Sequence, residues 1–127
     1  MNRFIIEDAA KDPKAHLDAS ILWLRGLGGG TVASDLKANL MRTLGASTDA
    51  EFKKVEERLS MMGVTLAWRR GGLPHHGNVV AAFTTRDLIE ELDGREGIEN
   101  LLVLGWSPND YSAWMDEHDP TRLQIRE

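Results

Sequence analysis

The chain has no cysteine. That excludes disulfides and zinc–thiolate centres, so packing and hydrogen bonding alone must hold the fold. No apolar run approaches the roughly 20 residues that cross a bilayer, and there is no internal repeat or low-complexity tract. The opening MNRFIIEDAAKDPK sets acids directly after a short apolar run, which is not the pattern of a signal peptide. A cytoplasmic setting with no membrane partner is expected. No serine sits in a nucleophile elbow, and no carboxylate pair has catalytic context. The chain is therefore expected not to be an enzyme, with no catalytic residue, metal or cofactor. A surplus of positive charge is missing as well, since the formal net charge is −5.

At 127 residues the chain is expected to form a single domain, residues 1–127, large enough to bury a core without staples. Its charge is unevenly placed. Residues 31–83 carry seven basic and five acidic groups, whereas residues 84–127 carry four basic against eleven acidic. A mildly basic middle followed by an acidic last third fits a nucleic-acid face beside an acidic partner region, or simply a solvated acidic surface.

Helix and strand signals run along the chain. Arg3–Ile6 reads as a short strand or arm. Asp12-Pro13 is a helix start, and Leu17, Ile21 and Leu24 repeat at helical spacing up to Gly26. The glycine-rich loop from Gly26 to Thr31 has the composition of a phosphate-binding turn. It lacks a lysine at the required spacing and a preceding strand, so a helix–helix turn is expected. A second helix begins near Thr31 or Ser34 and carries Leu36, Leu40 and Leu44 to a stop at Gly45. Thr48 and Glu51 form a capping box for a third helix, with Phe52, Val55, Leu59 and Met62 as its apolar stripe and Gly63 as its stop. Val64, Leu66 and Trp68 then alternate as a half-buried strand. Residues 70–77 form a loop, and Asn78–Phe83 return as the second arm of a hairpin. A helix from Thr84 to Asp93, a buried strand at Leu101–Leu104 and a short helix from Ser107-Pro108 complete the chain, followed by an extended tail, TRLQIRE.

The succession of helix, glycine turn, helix, short turn, helix and hairpin over about residues 13–84 resembles the winged helix-turn-helix superfamily. The resemblance implies an α+β fold: a winged-helix-like three-helix body with a β-hairpin wing, plus a small C-terminal α/β extension at 85–127. It implies a DNA-binding regulatory protein of transcription, with the third helix in the major groove and the wing on the backbone. Carried onto this sequence, the nucleic-acid-binding residues would be Thr48, Lys53, Lys54 and Arg58 on the helix, and Arg69, Arg70, His75, His76 and Asn78 on the wing. Asp49, Glu51, Glu56 and Glu57 on the same helix would repel phosphate. The alternative is a non-enzymatic protein-interaction module or inhibitor that keeps the shape and uses its acidic C-terminal surface as a nucleic-acid mimic. Trp106, Tyr111 and Trp114 would then be the partner-binding aromatics, whereas in the nucleic-acid-binding reading residues 85–118 are a candidate homodimer surface. His75-His76 and the run Asp116-Glu117-His118-Asp119 contain ligand-type residues, but their adjacency suits exposed loop and helix-end roles better than chelation.

Overall fold

Strand-forming runs rich in valine, leucine and isoleucine assemble into one six-stranded sheet in which every pairing is parallel. The computed structural model describes residues 1–124. Its strands are β1 (Asn2–Ile6), β2 (Gly30–Ser34), β3 (Val64–Trp68), β4 (His76–Ala82), β5 (Gly97–Leu104) and β6 (Thr121–Arg122), lying side by side as β3-β2-β4-β5-β1-β6. The helices are α1 (Pro13–Gly26), α2 (Lys37–Leu44), α3 (Asp49–Ser60), α4 (Arg86–Asp93) and α5 (Pro108–His118). They divide between the two faces. Leu17, Ile21 and Leu24 of α1, Leu40 of α2 and Phe52 and Leu59 of α3 pack on Ile6, Val32, Val64, Val80 and Leu102. Leu88, Ile89 and Leu92 of α4 and Tyr111 and Trp114 of α5 pack on Ile5, Val79, Ala81, Leu101 and Val103. Strands covered on both sides read as continuous apolar runs, which explains the unbroken stretches Val79–Ala82 and Leu101–Leu104.

This is an α/β fold, and it overturns the expectation of an α+β winged-helix body with a hairpin wing and an appended extension. The two arms of the expected hairpin do not pair. β3 and β4 lie on opposite sides of β2, each parallel to it. The strand between them is the segment Gly30–Ser34, which was expected to begin a helix. Thr31 and Val32 are β-branched and favour the pleated conformation. The link from β3 to β4 is therefore a crossover of residues 69–75 that carries the chain back to the starting edge of the sheet. It is shorter than the dozen or more residues typical of a parallel connection. It packs Leu73 into the same cluster as Ala33. The C-terminal third is no extension either, because β5 stands between β4 and β1 near the middle of the sheet.

The local signals behave as their chemistry dictates. The Thr48 hydroxyl accepts from the Glu51 N–H at 3.1 Å, and the Glu51 carboxylate accepts from the Ser47 N–H at 3.4 Å. Gly45 and Gly63 both sit at positive φ after their helices. The glycine loop is a helix–strand turn rather than the expected helix–helix turn. A Cβ on Gly29 would lie 2.5 Å from the carbonyl oxygen of Gly63, and one on Gly30 would lie 2.3 Å from that of Asn78. These glycines let strand edges meet. The tail contributes β6, and its Leu123 N–H donates to Ile5 at 2.8 Å; residues 125–127 of the expected extended tail lie outside the described residues.

Candidate functional site

A cleft opens where neighbouring strands send the chain to opposite faces. β2 leads into α2 on one face, and β4, beside it, leads into α4 on the other. Their C-terminal ends part there, and such switch points are where open parallel sheets bind ligands. The same reversal occurs between β1 and β5, and residues that follow both of those strands also line the cleft. Gly105 donates its N–H to Ile6 at 3.0 Å, and a Cβ on it would lie 2.8 Å from the Tyr111 ring. The open cleft encloses about 640 Å³, within the roughly 300–1,000 Å³ that accommodates small molecules.

Each surrounding element contributes to the lining. The strand ends bring Ser34, Ala82 and Thr84 to the floor. α2 brings Leu36, Asn39, Leu40 and Thr43 along one wall, and the β4–α4 and β5–α5 connections bring Phe83 and Trp106 to another. The start of α1 adds Asp12, Pro13, Lys14 and Leu17. Phe83 adopts φ +55°, a left-handed conformation that costs a non-glycine residue about 1–2 kcal/mol. Backbone strain of this kind concentrates at functional sites. The Phe83 ring meets Trp106 edge-on, with centroids 5.9 Å apart. Trp106 is 58% exposed and Leu36 61% exposed, so large apolar side chains stand open at the rim.

The floor holds the most informative atoms. Ser34 is 0% exposed and Thr84 2% exposed, and neither hydroxyl oxygen has a hydrogen-bond partner among the described residues. Asp35, next in the chain, is fully engaged. Its carboxylate accepts from the Thr85 N–H and the Thr85 hydroxyl, both at 2.9 Å, and faces the Arg69 Nε at 3.5 Å. It thus bridges the two lips of the cleft. Asp12 accepts from the Ala15 N–H at 3.3 Å as the N-cap of α1. Lys14 pairs with Asp18 at 3.3 Å. Asp110 and Arg42 lie at the rim without an ion pair among the described residues. No three histidine, aspartate or glutamate side chains gather as metal ligands among the described residues.

The residues expected to form a nucleic-acid surface are dispersed. Thr48 caps α3, while Lys53, Lys54 and Arg58 are exposed along it. Arg69 and Arg70 follow the C-terminal end of β3, whereas His75 and His76 stand at the beginning of β4, on the opposite edge of the sheet. Arg69 bonds Glu91 at 2.6 Å, and that contact, against a smaller burial cost and with Asp35 helping, pushes its pKa up. Asn78 is half-buried, donating to the Gly29 carbonyl at 3.0 Å and accepting from Asn100 at 2.8 Å. Of the partner aromatics, Trp106 is exposed, but Tyr111 and Trp114 are core residues. The Trp114 indole N–H donates to Asp93 at 2.9 Å.

Sequence reasoning passed over Ser34 and Thr84. The missed signal was a stretch that opens on two β-branched residues and ends in a small hydroxyl residue just before a helix, seen twice, at Thr31–Ser34 and Val79–Thr84.

No known protein family, curated protein or solved structure matches this chain.

Proposed function

We propose that the chain is a small-molecule-binding domain whose ligand sits in the cleft between the C-terminal ends of β2 and β4. The supporting observation is that Ser34 and Thr84, which line the cleft, carry buried hydroxyls with no partner among the described residues. Buried polar groups are nearly always hydrogen-bonded, and each one left alone costs about 1–3 kcal/mol. Two of them in a single cleft are explained if a ligand supplies their partners. The strained Phe83 and the exposed Trp106 beside them support the same reading. The test is a thermal-shift screen of a chemically diverse fragment library against the wild type and the Ser34→Ala/Thr84→Val double variant. Hits that stabilise the wild type and lose that effect in the variant are expected. Hits indifferent to the double substitution would reject the cleft as the site.

Binding of DNA or of a protein partner keeps narrower support. It would rest on Lys53, Lys54 and Arg58 of α3, interleaved with Glu56 and Glu57, and on the exposed Trp106. No feature beyond these favours it over the cleft.

A further inference from the structure

We infer that the cleft selects a neutral, planar nitrogen heteroaromatic, of the nucleobase or nucleoside class, inserted with its polar edge toward Ser34 and Thr84. The inference rests on the cleft being a ligand site and concerns the chemistry of what it takes. Three observations carry it.

The first is the floor. A serine and a threonine hydroxyl each donate one proton and accept others, so together they match an edge that mixes donors and acceptors. A nucleobase presents such an edge. A purely aliphatic ligand would leave both hydroxyls unpartnered, as they are among the described residues.

The second is the shape and composition of the walls. Leu36, the N-cap residue of α2, and Leu40 within it line the cleft together with the Phe83–Trp106 pair. A lining that combines aliphatic and aromatic side chains suits a flat, apolar-faced ring. The exposed Trp106 offers a π-face for stacking, which tolerates any base.

The third is charge. Asp12, Asp35 and Asp110 line the cleft against Lys14 and Arg42, and Lys14 already pairs with Asp18. A polyphosphate entering this space would meet the carboxylates of Asp12 and Asp110, since Asp35 is held by Arg69 and Thr85, and Arg42 is the one lining cation without an ion pair among the described residues. Like charges repel more strongly in a partly desolvated site than in bulk water. The glycine loop offers no alternative phosphate cradle, because its backbone is packed against Gly63 at the opposite edge of the sheet. A neutral ligand avoids the repulsion.

The experiment is isothermal titration of the full chain with adenine, cytosine, uracil, the four ribonucleosides and their 5′-triphosphates, alongside the fragment hits. At least one base or nucleoside is expected to bind, with its triphosphate about tenfold weaker or more. Trp106→Ala should weaken binding about tenfold, as loss of a stacking partner does. Ser34→Ala and Thr84→Val should each weaken it about fivefold. A triphosphate that binds as tightly as its nucleoside would overturn the inference. So would failure of every base and nucleoside while other fragments bind in a Ser34-dependent manner, an outcome that leaves the cleft reading intact. If no molecule of any class binds, both fall together.

Discussion

Ser34 and Thr84 each hold a hydroxyl away from water without a partner among the described residues, and that has a cost measurable without knowing the ligand. Thr84→Val keeps the side chain's shape and Ser34→Ala removes a single atom, and both delete the polar group. Each is expected to raise the stability of the ligand-free protein by up to about 1 kcal/mol in urea titration. A loss of stability in both would mean that the hydroxyls are satisfied in solution. Asp93 shows the opposite condition. Burial pushes its pKa up, but hydrogen bonds from Arg3 and Trp114, with the charges of Arg3 and His118, outweigh it and hold the carboxyl below its usual range. A lowered folded pKa means that the unfolded chain takes up this proton first. The stabilisation is complete above the ordinary aspartate pKa of about 3.9 and is lost as pH falls through the lower folded value. Asp93→Asn should therefore flatten stability against pH below about pH 4, measured by denaturation at a series of acidic pH values. An unchanged acid slope would remove Asp93 as its source.

Elements were legible in the sequence wherever a local rule governed them. The capping box at Thr48, the glycine stops at Gly45 and Gly63, the Pro108 start of α5 and the alternation of Val64–Trp68 are all found in the structure. Pairing was not legible, because it depends on a strand elsewhere in the chain. Two β runs joined by a short loop look like a hairpin until Gly30–Ser34 is recognised as the strand that separates them. Its five residues carry only two β-branched side chains and adjoin a true helix, so a helical start was the nearer reading. The candidate site was hidden by the same error, since Ser34 and Thr84 gain meaning only when β2 and β4 are neighbours. A direct check exploits the absence of cysteine. Thr31 and Thr65 are register partners with hydroxyl oxygens 3.0 Å apart, on strands spaced about 4.8 Å apart, within disulfide reach. A Thr31→Cys/Thr65→Cys variant is expected to cross-link on mild oxidation while keeping its circular dichroism spectrum. A chain that stays reduced would contradict the β2–β3 pairing.

At the scale of the whole molecule, the parallel sheet explains why one edge carries the candidate chemistry. Every strand ends on the same edge, so the residues that follow β2, β4 and β5 converge there along with the start of α1. The cleft lies over Ser34 and Thr84 and reaches the segments that follow β1 and β5. Basic residues, by contrast, are scattered across α3 and both sheet edges. Among the described residues no helix is long and apolar enough to cross a membrane. Binding in the cleft is tested most directly by a map of backbone amide chemical shifts as a bound fragment or nucleoside is titrated. Perturbations are expected to centre on Ser34, Leu36, Phe83, Thr84 and Trp106, with Gly29 and Gly63 at the far edge unmoved. Shifts centred on α3 or on the far edge, with the cleft residues still, would contradict it.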